Sequence, residues 1–270
     1  MKAARFDYAR ADGIADAVAL LAGAGGLGRV MAGGQSLIPM MNLRLAQPSL
    51  VIDIGAIREL RRAELSNGEL YFGAGVTHAM IEDCKVPDAT NGMLPFVAGG
   101  IAYRGVRNRG TIGGSLAHAD PAADWPSALL ALGASVDLAG PETVRTVPLD
   151  AFLVGAYTTA IEADEVLAGV RIPRLSPKAR WSYYKVVRKT GEFAHTIGAA
   201  VLDPERGARR VVLGGTGRAP MLVEGAGQRL DRPLGIADAV ALLGPAGFDP
   251  VERHLHATAL SRAVTRIHAP

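Results

Sequence analysis

The chain has 270 residues, 49% of them hydrophobic and 20% charged, enough to bury a substantial core and too apolar for a disordered protein. A formal net charge of only +3 and 5% aromatics leave no dense basic stripe or stacking platform, so nucleic-acid binding is not expected. The single cysteine, Cys84, excludes an internal disulfide and a cysteine-held iron–sulfur cluster, which needs about four ligands.

Residues 1–10 are short and mixed, and read as an edge strand. Asp12 is placed to cap a helix whose apolar residues Ile14, Val18 and Leu21 recur at helical spacing. Gly23, Gly25, Gly26 and Gly28 end that helix. They spell G-x-G-x-x-G, yet the dinucleotide fingerprint requires strand, glycines and then helix, and here the helix comes first. The cluster is therefore read as a helix end and turn before a strand over Arg29–Ala32. AGGQS (Ala32–Ser36) follows, then an apolar run to Met41 and a strand over Leu50–Ile54. Glu69–Ala74 reads as a strand, and Thr77 as the N-cap of a helix to Asp83. Leu94–Ile101 is helical, and GVRNRG (Gly105–Gly110) reads as a turn whose arginines either face solvent or steer phosphate.

The next stretch, Thr111–Pro126 (TIGGSLAHADPAADWP), carries the second unusual glycine pair. A buried helix over Ser127–Leu132 follows, then strands over Ser135–Leu138, in Glu142–Pro148, within Phe152–Thr159 and over Glu165–Pro173. Pro173, Pro177 and the polar Arg174–Lys178 stretch make the best candidate linker. Beyond it, Trp181–Val187, Thr196–Leu202 and Arg209–Leu213 read as strands. Helices over Gly235–Leu243 and Val251–Ile267 close the chain, the last with an expected core stripe of Val251, Leu255, Ala259, Ala263 and Ile267. Strands followed by helices make this last part an α+β module.

Several chemistries fit poorly. Neither Ser36 nor Ser115 lies in a G-x-S-x-G nucleophile motif, and no Walker lysine follows either glycine pair. His254 and His256 point to different sides of a helix; His78 and Glu82 share a face but read as a solvated surface pair, so no metal site is expected. Asp120 and Asp124 are spaced for an acid–base pair, but Pro121 interrupts any helix between them; Asp120 reads as a turn former and Asp124 as a cap of the helix near Pro126. No charged segment followed by an apolar one opens the sequence, and no apolar run reaches about 18 residues, so a soluble, cytoplasmic chain without a transmembrane segment is expected. What remains is the pair of glycine stretches. Residues without a Cβ let backbone N–H groups approach an anion closely, and two such cradles suit one long phosphate-bearing ligand.

AGGQSLIPMMNLRLAQPSLVIDI and RNRGTIGGSLAHADPAADWPSALLAL, with GAYTT, EVLAGVRIP and YYKVVRKTGEFA, resemble the FAD-binding medium subunits of molybdenum hydroxylases, the carbon monoxide dehydrogenase and xanthine dehydrogenase type, over nearly the whole chain. The resemblance implies an α+β fold: a vanillyl-alcohol-oxidase-type FAD-binding domain over 1–175, with subdomains 1–56 and 57–175, then a smaller α+β C-terminal domain over 176–270. It implies non-covalent FAD held by Ala32, Gly33, Gly34, Gln35 and Ser36 and by Thr111, Ile112, Gly113, Gly114 and Ser115. Asp124 matches a residue on the adenosine side and Lys185 one that contacts the flavin. Leu167 and Phe193 match apolar positions near the ring, although the residues alone read as core. The implied partners are a molybdopterin-binding large subunit and a [2Fe–2S] small subunit in a dimer of heterotrimers, a heterohexamer. Electrons then pass to an external acceptor, with no catalytic side chain on this chain. Glu192 stands where the family favours aspartate, Ala11 near a common proline, and Leu260, Ser261 and Arg262 where a Tyr-Arg pair is usual. A stand-alone flavin oxidoreductase and a flavin-free scaffold subunit are the alternatives.

Overall fold

The computed structural model describes residues 2–244 and 247–268; Met1, within the expected first strand, lies outside them. The chain opens with strand β1 (Asp7–Arg10), helix α1 (Ile14–Gly23), strand β2 (Gly28–Met31), helix α2 (Leu37–Asn42) and strand β3 (Leu50–Asp53). Both β1 and β2 pair parallel to β3, so β1 is an edge. Helix α1 buries Val18 and Leu21 with Ala17 and ends where Gly25 and Gly26 take φ of 56° and 83°. The first glycine cluster is thus a left-handed turn after a helix, as its order in the sequence implied. Its start differs from expectation: Gly13 is the N-cap, and Asp12 instead donates its backbone N–H to the Asp16 carboxylate at 2.9 Å.

A five-stranded antiparallel sheet follows, built from β4 (Ala63–Ser66), β5 (Glu69–Gly73), β6 (Ser135–Ala139) and β7 (Val144–Pro148). A small ribbon, β8 (Leu153–Gly155) with β9 (Thr158–Thr159), leads to the central strand, β10 (Val166–Pro173). Between β5 and β6 lie α3 (His78–Glu82), α4 (Met93–Gly99), α5 (Arg104–Arg107), α6 (Ile112–His118) and α7 (Asp124–Leu132). Thr77 caps α3 as expected, its Oγ1 accepting from the Met80 N–H at 3.2 Å. The last sheet, β11 (Arg180–Val186), β12 (Thr196–Asp203), β13 (Ala208–Gly214) and β14 (Met221–Leu222), is antiparallel and is followed by α9 (Ile236–Leu243) and α10 (Pro250–Arg266). Here α8 (Leu149–Phe152) is a single turn joining β7 to β8.

Helix α7 is the element these parts share. All nine of its residues are buried, and it packs on β12 and β13 on one side and on α4, α6 and β10 on the other. Strand β12 is buried along its full length, and the alternation of a strand divides its residues. Ile197, Ala199 and Val201 join the core that includes α7, whereas Ala200 and Leu202 join a second core under α10. Glycines permit both close approaches. A Cβ on Gly198 would lie 2.5 Å from the Ala259 carbonyl oxygen of α10, and one on Gly214 would lie 1.9 Å from Ser127 Oγ of α7. The C-terminal sheet is thereby pressed against the helix that carries Asp124.

The stripe expected on the last helix is correct only in its second half. Val251 is exposed, and the buried face runs through His256, Leu260, Ala263, Val264 and Ile267. The Asp249 capping box fixes the first turn outside the core, so the sheet is met only from His256 onward. Leu260, fully buried in the second core, sets a test. Leu260→Ala is expected to lower unfolding free energy by about 2–5 kcal/mol in urea titration, the range for a cavity left by a buried leucine. A loss under about 1 kcal/mol would mean that α10 is not seated on the sheet.

Candidate functional site

The two glycine stretches meet. Gly33 lies so close to the approach to the second stretch that a Cβ there would sit 2.0 Å from the Arg109 carbonyl oxygen and 2.9 Å from Gly110 Cα. Arg109 Nε in turn donates to the Gly33 carbonyl at 3.4 Å. A Cβ on Gly114 would lie 3.7 Å from the Ala32 methyl and 2.9 Å from Thr111 Oγ1. Gly113 lies flush on Ala74, with 2.4 Å between that Cβ and its own. Much of the glycine signal is therefore demanded by packing of backbone on backbone, before any ligand is considered.

Their chemistry is unequal. Thr111 caps α6, and the four N–H groups after it are occupied: Ile112 donates to the Val76 carbonyl, Gly113 to Ala74, Gly114 to Thr111 Oγ1 and Ser115 to the Thr111 carbonyl, all at 3.0–3.1 Å. What reads in the sequence as a second open cradle is the first turn of a helix, hidden by two residues of low helix propensity. In the first stretch the N–H groups of Gly33, Gly34, Gln35 and Ser36 donate to no acceptor among the described residues. Gly34 holds φ of 71°, and the Gln35 amide nitrogen ties back to the Gly33 carbonyl at 3.2 Å. Successive free N–H groups around a left-handed residue form an anion-binding concavity. Neither stretch contains a carboxylate.

A buried pair braces the second stretch from beneath. Trp125 Nε1 donates to His78 Nδ1 at 2.9 Å, His78 N–H donates to the Gly110 carbonyl at 3.0 Å, and a Cβ on Gly110 would touch His78 Nε2 at 2.8 Å. Burial, with a smaller push from the Arg107 charge, lowers the His78 pKa to about 4, so the ring is neutral at pH 7. This corrects the reading of His78 and Glu82 as a solvated pair. Glu82 instead holds Arg107 at 2.8 and 2.9 Å and Arg104 at 2.8 Å. Arg107 also donates to the Ile101 and Ala102 carbonyls, so it braces a loop, and only Arg109 of the expected turn reaches the glycine stretches.

Farther along, Asp120 is the turn former expected, accepting from Ala122 N–H at 2.9 Å. Asp124 is not the N-cap of α7, which is Ala123. Its buried Oδ1 accepts from the Tyr183 hydroxyl at 2.7 Å and its Oδ2 from Lys185 Nζ at 2.9 Å. Burial pushes the Asp124 carboxyl up, against the opposing pull of the Lys185 ammonium and the two hydrogen bonds. Leu167 is core, but Phe193 is 64% exposed on the loop between β11 and β12, contrary to the reading of its residue type.

Residues 4–175 match the family described as the FAD-binding domain in molybdopterin dehydrogenase. The chain is 40% identical over 203 residues to the carbon monoxide dehydrogenase medium chain of Hydrogenophaga pseudoflava, covering 75% of this chain and 70% of that one. It is 36% identical over 270 residues to subunit alpha of the 6-hydroxypseudooxynicotine dehydrogenase complex of Paenarthrobacter nicotinovorans, covering 97% and 91%. The chain belongs to the FAD-binding medium subunits of the molybdenum hydroxylases. Its fold matches the structure of the H. pseudoflava carbon monoxide dehydrogenase that lacks the Mo-pyranopterin moiety, with a TM-score of 0.88, 32% identity and coverage of 98% and 97%. The α+β, vanillyl-alcohol-oxidase-type architecture expected of this oxidoreductase subunit is thus the one observed. Among the described residues no helix is long and apolar enough to cross a membrane.

The residues present in this medium subunit fit the cofactor: four free N–H donors for a pyrophosphate, a glycine wall beside them, and no competing carboxylate. Sequence reasoning missed Tyr183, although its place two residues before Lys185 on one strand puts both side chains on one face. It also missed Tyr157, an exposed residue at φ of 54° whose ring packs on His118 at 5.2 Å. Nothing in its residue type announces that backbone.

His78 gives a pH test. Its folded pKa of about 4 lies below the unfolded value of about 6.5, so the unfolded chain binds the extra proton between them. The stability this contributes is complete above about pH 6.5 and is lost as pH falls to about 4, by about 3 kcal/mol. His78→Gln, which keeps an acceptor for Trp125, is expected to remove that part of the pH dependence in denaturant titrations. An unchanged profile would mean that His78 is not the group titrating.

Proposed function

We propose that this medium subunit carries non-covalent FAD as the exit station of a molybdenum hydroxylase. In this reading a molybdopterin large subunit oxidises the substrate, a [2Fe–2S] small subunit relays the electrons, and the medium subunit passes them to an external acceptor. The assembly is a dimer of heterotrimers, and the lone exposed thiol of Cys84 suits a reducing cytoplasm. Bound FAD would supply the chemistry, collecting electrons that the one-electron iron–sulfur relay delivers singly and releasing them to the acceptor. The chain binds and orients it, and no side chain here acts as acid or base on the hydroxylated substrate.

The observation that carries this reading is the row of free N–H groups from Gly33 to Ser36 set against the Thr111–Ser115 turn. In our assignment the Gly33, Gly34, Gln35 and Ser36 amides hold the pyrophosphate. Ala32, Thr111, Ile112, Gly113 and Gly114 form the wall beside it, and the Ser115 hydroxyl, which makes no hydrogen bond among the described residues, adds a donor. Asp124 and Lys185 complete the site farther along. Residues 1–56, 57–175 and 176–270 are assigned as two FAD subdomains and a C-terminal domain, with α7 the seam between the second and third.

Gly114→Asp tests this assignment. Its Cβ meets Thr111 Oγ1, and its charge opposes a phosphate beside Ala32. The variant is expected to fold, by circular dichroism and thermal unfolding, and to purify without the flavin absorbance that wild type and Cys84→Ser retain. Full flavin content in folded Gly114→Asp would overturn the placement of the cofactor.

A further inference from the structure

Lys185 is the one expected site residue whose charge is held by a second expected site residue. Its ammonium donates to Asp124 Oδ2 at 2.9 Å and reaches the Gly100 carbonyl at 3.5 Å, while its side chain keeps 13% exposure. An ammonium with that exposure is not sealed in, and only two of its three donors have partners in the chain. Asp124 is 5% exposed and has spent Oδ1 on the Tyr183 hydroxyl, itself 6% exposed. A carboxylate with both oxygens engaged by neighbours inside its own chain is a counter-ion more than a ligand. Tyr183 and Lys185 stand two residues apart on β11, while Asp124 opens α7, so the three join the C-terminal sheet to the central helix.

Resting on the function proposed above, we propose that Tyr183 is a positioning residue for the flavin, acting through Asp124 to hold the Lys185 ammonium in one place. The reasoning is electrostatic. Two-electron reduction with uptake of one proton leaves the flavin ring with one negative charge more than before. A fixed cation beside it favours that state, and a cation free to swing toward water favours it less. The Tyr183 hydroxyl matters because it satisfies Oδ1. Without it, the buried carboxylate loses a bond that stabilises its charged form, takes up a proton more readily and holds Lys185 less firmly. Asp124 thereby moves from the adenosine side, where the resemblance placed it, to the support of Lys185.

The experiment is a thermodynamic cycle on the full chain with FAD bound, comparing wild type, Tyr183→Phe, Lys185→Met and the double variant. The readouts are the FAD dissociation constant and the flavin midpoint potential by anaerobic dye titration. Lys185→Met is expected to shift the potential to more negative values, and Tyr183→Phe to shift it the same way by less. The double variant is expected to match Lys185→Met alone in both readouts, because Tyr183 has nothing left to position. Additive shifts overturn the proposal, as does an unmoved potential in Tyr183→Phe or a loss of FAD there that exceeds the loss in Lys185→Met. The two readings fail differently. Wild type that takes up no FAD sinks the function and this inference together, whereas FAD-loaded wild type with an additive cycle sinks the inference alone.

Discussion

Gly33 against the Arg109 carbonyl is the contact on which the site depends. With a Cβ 2.0 Å from that oxygen excluded, only glycine lets the two backbones touch. That touch brings the end of a parallel sheet, at Ala32, beside the first turn of α6, whose Gly113 rests on Ala74 at the end of β5. Each stretch then has a different task. The first leaves the N–H groups of Gly33–Ser36 unspent, while the second spends those of Ile112–Ser115 on holding its shape. Open donors on one side, beside a turn held rigid by its own hydrogen bonds on the other, suit an anion at a defined place.

Support for this arrangement comes from behind. The Trp125–His78 hydrogen bond fixes the approach to Thr111, and Trp125 belongs to α7, the fully buried helix on which the C-terminal sheet is pressed through Gly214. Asp124, one residue before Trp125, faces the other way into the Tyr183 and Lys185 pair. One helix thus transmits packing in the C-terminal sheet to both ends of the proposed flavin site. The electron relay proposed above would benefit from such rigidity, since redox centres function at fixed separations.

Much of this was legible in the sequence, and the failures share causes. The order helix, glycines, strand correctly removed the Gly23–Gly28 cluster from consideration, because anion binding needs the opposite order. Thr77 declared its cap, and AGGQS its open backbone. The second stretch was misjudged in kind: Thr111 is as good an N-cap as Thr77, but Gly113 and Gly114 masked the short helix behind it. Asp124 was weighed as cap or ligand because its partners, Tyr183 and Lys185, lie about sixty residues away in the chain. Residue type alone also missed the exposure of Phe193 and the burial of His78, since both are set by what the tertiary fold places beside them.

The most direct measurement of the central claim is a calorimetric titration of the flavin-free chain with FAD and, separately, with riboflavin. If the free N–H groups of Gly33–Ser36 hold the pyrophosphate, FAD binds near one per chain. Riboflavin, lacking the phosphates, then binds at least about a hundredfold more weakly, the value of two charge-assisted hydrogen bonds. Equal affinity for the two would mean that the ring alone is recognised, and would contradict the account of the glycine stretches.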